Sequence, residues 1–128
     1  MSESETRSAA ETVFTVDALL KYMGNDQKAI TVVAKIVTDA LATGEQLLAV
    51  AERGVAAGQY AEAAHAFHGL RGSVGTLGAK RFVGAALAAE LAIVDQREDD
   101  VAPLLAVVEH EFGLVAEQAA AWLTRSAR

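Results

Sequence analysis

The feature that most restricts the fold is a long stripe of apolar residues in the C-terminal part of the chain. Its members follow one another at helical spacing and are Val101, Leu104, Leu105, Val108, Phe112, Val115, Ala119 and Trp122. Residues three or four positions apart lie on one side of an α-helix, and an apolar side of this length needs a partner to be buried. The segment therefore predicts a fold made of packed helices.

The preceding segments show the same period. They predict a short helix within residues 12–23, a long helix from Gln27 to about Arg53, a third helix from about Gln59 to Val74 or Gly75, and a fourth from about Ala79 to Asp95. Between the first two, Gly24-Asn25-Asp26 predicts a helix stop followed by a new cap. Residues 96–100 are charged and turn-like, which places Pro103 in the first turn of the last helix, where proline is tolerated.

Four long helices with short connections predict an all-α fold, an antiparallel up-down four-helix bundle with a short additional N-terminal helix. No segment alternates apolar and polar residues as a half-buried strand would. The polar residues 1–11 are predicted to be a disordered lead-in, and residues 12–126 to be one bundle domain. A chain of 128 residues is long enough to bury a core in a single domain.

Composition excludes several classes of function. The formal net charge of -6 argues against binding nucleic acid through a general basic surface. The chain has no cysteine, so it has neither a disulfide scaffold nor a cysteine-ligated metal. No apolar run approaches the roughly 20 residues that span a bilayer, so no membrane insertion is expected. These features permit a cytoplasmic location, which we take as the expectation.

The main candidate functional residues lie in or near the segment 68–79, whose sequence is His-Gly-Leu-Arg-Gly-Ser-Val-Gly-Thr-Leu-Gly-Ala. Steps of about 100° per residue place one set of residues on the same side of a helix: Ala61, Ala64, His68, Arg71, Gly72 and Gly75. The opposite side is apolar and is expected to face a core; it carries Ala63, Ala66, Phe67, Leu70, Val74 and Leu77. An imidazole on an open face of small residues suggests a function performed on another protein.

Glycine recurs at every third position from Gly69 to Gly78. Each glycine inside a helix costs about 1 kcal/mol relative to alanine, so a loop is the alternative interpretation of this segment. The helical spacing of Leu70, Val74 and Leu77 favours a helix. Small residues around the imidazole would then leave room for a bulky group and a docking partner.

The segment resembles the signature of the histidine-containing phosphotransfer (HPt) domains of two-component phosphorelays. That signature is His, any residue, Leu, Lys, Gly and Ser, followed by Leu-Gly-Ala a few residues on. The matching residues here are His68, Leu70, Arg71, Gly72 and Ser73, then Leu77, Gly78 and Ala79. Glu90 fits the Leu-Glu region of the family, although Ala89 replaces the leucine. Arg71 replaces the usual lysine, and Phe67 stands where a small residue usually precedes the histidine.

The resemblance covers roughly residues 13–125 and implies the function. His68 would accept a phosphoryl group from the aspartyl phosphate of a response-regulator receiver domain and pass it to another receiver. Arg71 would stabilise the charge on the phosphoryl oxygens. The docking face and its clearance would come from Ala61, Ala64, His65, Gly72 and Gly75.

The resemblance also implies the partners. These are receiver domains and a hybrid sensor histidine kinase, with Mg²⁺ on the receiver and no cofactor on this chain. The chain would act as a monomeric transfer intermediate without autokinase activity.

The residues permit other interpretations. His65 is a second candidate acceptor, but counting from it puts Phe67, His68 and Gly69 where the signature has Leu, Lys and Gly. Glu62 and His65 have the spacing of carboxylate-bridged di-iron bundles, but no second such pair exists. A helical docking or scaffold module without phosphotransfer activity stays open, and acid-labile, base-stable phosphorylation would distinguish it.

Overall fold

The computed structural model describes residues 11–127, and within this range the chain forms five α-helices and no strand. The helices are α1 (Asp17–Met23), α2 (Gln27–Ala56), α3 (Tyr60–Gly75), α4 (Lys80–Val94) and α5 (Glu98–Ser126). The all-helical prediction is confirmed. The predicted disordered lead-in, residues 1–11, lies outside the described residues except for Glu11.

The four long helices surround one core. Each packs against its neighbours in the sequence, and α2 also packs against α5. In the described part of the chain, the backbones of α2 and α4 do not come close to each other, and neither do those of α3 and α5. α1 packs against α2 alone among these helices. The helices therefore form a ring whose inner faces meet in the middle.

The buried residues are largely those that the helical period predicted. Fully buried in the interior are Phe67, Leu70, Val74, Leu77, Phe82, Val101, Val108 and Val115. The rings of Phe82 and Phe112 pack edge to face, with centroids 6.0 Å apart. Such aromatic pairs contribute about 0.5–1.5 kcal/mol beyond the area that they bury. The edges of the predicted stripes, among them Ile93 and Trp122, are half-buried against this core.

The ends of the helices follow the predicted signals in one place and depart from them in another. Gly24 ends α1 in a left-handed conformation, and the side chain of Asp26 accepts a hydrogen bond of 2.8 Å from the N–H of Ala29 at the start of α2. The prediction for Pro103 was wrong. α5 begins at Glu98, so the proline lies beyond the first turn. Three acidic residues in that first turn favour the earlier start, because they complement the positive end of the helix dipole.

The segment before α1 lies across the connection between α3 and α4. The N–H of Thr15 donates to the carbonyl of Leu77 over 2.9 Å, and the N–H of Arg81 donates to the carbonyl of Thr12 over 3.1 Å. Gly78 adopts a φ of +64°, and a Cβ built on it would lie 2.7 Å from the carbonyl oxygen of Thr15. The connection therefore needs glycine both for its backbone conformation and for the close approach of Thr15.

An ion pair reinforces the same end of α4. The Nη2 atom of Arg81 lies 2.7 Å from the Oε2 atom of Glu111 on α5, and Glu111 is buried. The hydrogen bond to Glu111 raises the pKa of the Arg81 guanidinium above its ordinary value. Since the backbone of Arg81 also holds Thr12, this residue links α5, α4 and the N-terminal segment.

We predict that Gly78→Ala lowers the free energy of unfolding by about 1–3 kcal/mol, because a non-glycine residue is strained in the left-handed region. Gly84→Ala is the matched control in the exposed part of α4, where nothing lies within 4 Å of an added Cβ. It should raise stability by up to about 1 kcal/mol. Urea unfolding followed by circular dichroism measures both variants. Equal effects at the two positions would contradict the role assigned to Gly78.

Candidate functional site

His68 lies on the outer side of α3. The inner side of the helix is buried, and its members are Ala63, Ala66, Phe67, Leu70 and Val74. The side chain of His68 is 66% exposed on the opposite side. Burial of the inner side fixes the rotation of the helix, so the imidazole is presented to solvent as the helical period predicted.

A carboxylate from the neighbouring helix lies against the imidazole. The Oε2 atom of Glu90, on α4, is 3.3 Å from the Nδ1 atom of His68. The Oε1 atom of the same carboxylate is 2.6 Å from the Nη1 atom of Arg71. Glu90 is largely buried, with 18% of its side chain exposed. The packing of α3 against α4 thus brings one carboxylate between a histidine and an arginine.

This arrangement distinguishes the two nitrogens of the imidazole. An ionised carboxylate only accepts hydrogen bonds, so a proton on Nδ1 is favoured where Glu90 faces it. In the neutral ring the lone pair is then on Nε2. If His68 is the phosphoryl acceptor that the sequence predicts, we expect Nε2 to be its nucleophilic nitrogen.

Arg71 is held towards α4. Its side chain is 30% exposed, and Nη1 donates to Glu90. Its Nε atom is buried and has no hydrogen-bond partner within residues 11–127. The sequence assigned the positive charge of Arg71 to a phosphoryl group, and this role stays a prediction; the contact with Glu90 was not foreseen.

The small residues around His68 differ in their surroundings. Ala61 and Gly72 are exposed, while Ala64 and Gly75 are half-buried. A Cβ added to Gly72 would meet nothing within 4 Å, whereas one added to Gly75 would lie 3.2 Å from the Cγ2 atom of Val83. Gly72 therefore leaves open space beside the imidazole, and Gly75 also allows α3 to approach α4. Their predicted role in docking is not tested by this geometry.

His65, the second candidate acceptor, is exposed one turn before His68. Across residues 11–127 it has no ion pair or hydrogen bond, so no carboxylate distinguishes its nitrogens as Glu90 does for His68. The two histidines share a face of the helix but not an environment.

A groove adjoins this face at the C-terminal end of α3. One wall is formed by Thr15, Ala18 and Leu19, from the N-terminal segment and α1. The other wall is formed by Gly75, Thr76 and Lys80. The segment that crosses the α3–α4 connection thus forms a groove with the C-terminal end of α3.

Sequence reasoning did not include Glu90 among the site residues. The available signal was its place in the Leu-Glu region of the resemblance, but its contact with His68 depends on how α4 is placed against α3.

No group of three or more metal-binding side chains occurs within residues 11–127. In the same range, no helix has the length and apolar character to cross a membrane.

Comparison with known proteins gives one match. The family model described as the Hpt domain matches residues 35–122, which is most of the chain and includes His68, Arg71 and Glu90. No curated protein and no solved structure matches the chain.

We predict that Glu90→Gln reduces the preference for the Nδ1-protonated tautomer of His68, because a neutral amide is a weaker acceptor than a carboxylate. The ¹⁵N chemical shifts of the imidazole report the tautomer in neutral rings. Glu109→Gln, an exposed glutamate on α5, is the control and should leave these shifts unchanged. An unchanged tautomer ratio in Glu90→Gln would show that the carboxylate does not orient the proton.

Proposed function

The chain belongs to the Hpt domain family, and on that premise we propose that His68 is the phosphoryl carrier of a phosphorelay. Histidine phosphotransfer in phosphorelays follows from the family. The proposal adds the direction of transfer: from the aspartyl phosphate of one receiver domain to His68, and from His68 to another receiver. The observation that carries the choice of His68 as the phosphoryl carrier is its exposed imidazole, with the Nδ1 atom 3.3 Å from Glu90.

The proposed step is an in-line displacement at phosphorus. The Nε2 lone pair of His68 attacks the phosphorus atom, and the bond between phosphorus and the aspartate oxygen breaks. The electron pair of that bond leaves on the aspartate carboxylate. The ring, still protonated on Nδ1, gains positive charge as the N–P bond forms, and the Glu90 carboxylate beside Nδ1 stabilises it. Transfer to the next receiver reverses these changes.

Positioning and charge neutralisation account for most of the catalysis in phosphoryl transfer. In the proposal, the receiver brings its Mg²⁺ and acidic pocket, and this chain carries no cofactor. The positive charge of Arg71 faces the transferring phosphoryl oxygens. The receiver docks over Ala61, Ala64, His65, Gly72 and Gly75, and we extend this surface into the groove beside α1 that Leu19 lines.

The proposal includes the antiparallel up-down arrangement of the four long helices. Support comes from connections of only a few residues between helices that pack in sequence order. It further includes a monomer, because the predicted apolar stripes are buried within one chain. The remaining elements are a hybrid sensor histidine kinase as upstream partner and a cytoplasmic location, where ATP-dependent kinases act.

We predict that His68→Gln abolishes phosphorylation by a phosphorylated receiver, because glutamine has no nucleophilic ring nitrogen. His65→Gln should retain most of the labelling. Both histidines are exposed, so neither substitution should change the circular dichroism spectrum. The measured quantity is the amount of acid-labile, base-stable label on each variant after incubation with each phosphorylated receiver. Loss of label in His65→Gln but not in His68→Gln would move the acceptor to His65.

We predict that Gly72→Gln slows transfer from a receiver at least about tenfold, because a long side chain beside the imidazole prevents in-line approach. The side chain of a helical residue points back over the preceding turn, which here carries His68. Phosphorylation by phosphoramidate, a small donor, should change much less. The melting temperature should be equal or higher, because glycine is the poorer helix former.

Gly113→Gln is a suitable control for this variant, since Gly113 is an exposed glycine on α5 with nothing within 4 Å of an added Cβ. It should match Gly72→Gln in stability and the wild-type protein in transfer rate. An unchanged rate from the receiver in Gly72→Gln would place the docking surface elsewhere on the bundle.

A further inference from the structure

We propose that the exposed side of α4 is a surface on which a receiver domain lays an amphipathic helix while it reaches His68. The contact residues are Gly84, Leu87, Leu91 and Val94, which we call the α4 stripe. The inference rests on the proposed function and deepens it. It adds an apolar part to a docking surface of small residues, and it states the chemistry of the partner element that covers this part.

The α4 stripe has no polar member. Over residues 82–94, the exposed residues are the four of the stripe alone. Glu90 is the one charged residue of this stretch, and its carboxylate is engaged by side chains of α3. The solvent side of a surface helix normally carries polar residues, and an exposed apolar patch marks a place of contact. The stripe therefore indicates a surface that a partner covers.

The spacing of the stripe indicates that a helix covers it. Its residues follow one another at intervals of three, four and three positions. These are the intervals of the narrow seam along which two helices pack. The seam from Gly84 to Val94 is about 15 Å long, or about three turns. A Cβ added to Gly84 would meet nothing within 4 Å, so this end of the seam has room for a large side chain of the partner.

The position of the stripe favours a receiver as its occupant. Leu87 and Val94 lie one turn before and one turn after Glu90, so the stripe borders the carboxylate that contacts His68. A partner that brings its aspartyl phosphate to the imidazole therefore meets the stripe beside it. Four residues are too few for a stable dimer of this chain, because a standard interface takes about 20–30 residues from each side. A receiver adds the contacts around His68, and it must leave again after transfer.

The charges beyond one end of the stripe describe the partner helix further. Glu98 and Asp99 are exposed and form no ion pair with any of residues 11–127. Asp95 and Asp100, in contrast, both pair with Arg97. Lysine or arginine at the corresponding end of the partner helix would complement the two unpaired carboxylates. The receiver helix is therefore apolar along one side and basic at one end.

The first test measures receiver binding in a variant of the stripe. Leu87→Gln/Leu91→Gln should raise the Kd for a receiver at least about tenfold, because two leucine side chains lose their burial in the complex. Both leucines are exposed, so the melting temperature should change little. Isothermal titration calorimetry with each receiver gives the Kd.

Leu48→Gln is the control for the loss of a leucine elsewhere on the bundle. Leu48 is half-buried one turn after Gly44, whose added Cβ would meet Phe112 on α5, so it lies on the side of α2 that faces α5. Its substitution should leave the Kd for the receiver within about twofold, because α2 and α4 do not come close to each other.

The second test concerns the acidic end. Glu98→Gln/Asp99→Asn should slow association with the receiver and make the association rate less dependent on salt, because attraction between unlike charges steers the encounter. Glu45→Gln/Glu117→Gln removes two exposed charges from other parts of the surface and should slow association less. Surface plasmon resonance at two salt concentrations measures both variants. Equal effects in the two variants would show that the partner has no basic end directed at Glu98 and Asp99.

Phosphoramidate separates docking from chemistry, because this small donor reaches His68 without covering α4. Leu87→Gln/Leu91→Gln should lose much more rate with a receiver as donor than with phosphoramidate. An unchanged Kd in this variant would overturn the proposal, and so would an equal loss in Leu48→Gln. Self-association of the wild-type protein that the variant abolishes, measured by analytical ultracentrifugation, would also overturn it, because a second copy would then cover the stripe. A wild-type protein that takes up no label on His68 from either donor would instead overturn the proposed function itself.

Discussion

The burial of one side of α3 is the constraint on which the rest of the structure depends. Phe67, Leu70 and Val74 are fully buried, and each such side chain stabilises the fold by about 1.5–3 kcal/mol. A rotation of α3 by one residue, about 100°, would expose them. The same packing therefore keeps His68 outward, and no separate interaction is needed to expose it. Phe67, directly before His68, belongs to the core and anchors the position of its neighbour.

The Glu90 carboxylate makes the two ring nitrogens of an exposed histidine different from each other. One of its oxygens lies 3.3 Å from Nδ1 of His68, and the other lies 2.6 Å from Nη1 of Arg71. The proposed transfer asks only for three side chains from two packed helices, because phosphoryl transfer needs positioning and charge more than covalent machinery. Nothing lies within 4 Å of a Cβ added to Gly72, and in the proposed function this space admits the partner's reacting group.

The N-terminal segment links the stability of the bundle to the surface beside the site. Thr15 pairs with Leu77, and Gly78 provides the left-handed turn that permits the close approach. The Leu-Gly-Ala part of the signature is thereby explained by packing: Leu77 and Ala79 are fully buried on either side of that turn. α1 buries no residue of its own, so its place beside the groove depends on this segment and on α2.

The sequence by itself determined the helices, the buried side of each and the outward position of His68, because a period of 3.6 residues records which side of a helix is apolar. It did not determine which helix lies against that side. The contact of Glu90 with His68 and Arg71, the approach of Gly75 to Val83 and the pairing of Thr15 with Leu77 each join residues from different segments. The position of Pro103 was missed for a different reason, since acidic residues that read as a turn also stabilise the start of a helix. Only the tertiary structure decided these points, because they depend on how helices are placed against one another and not on the pattern within any one of them.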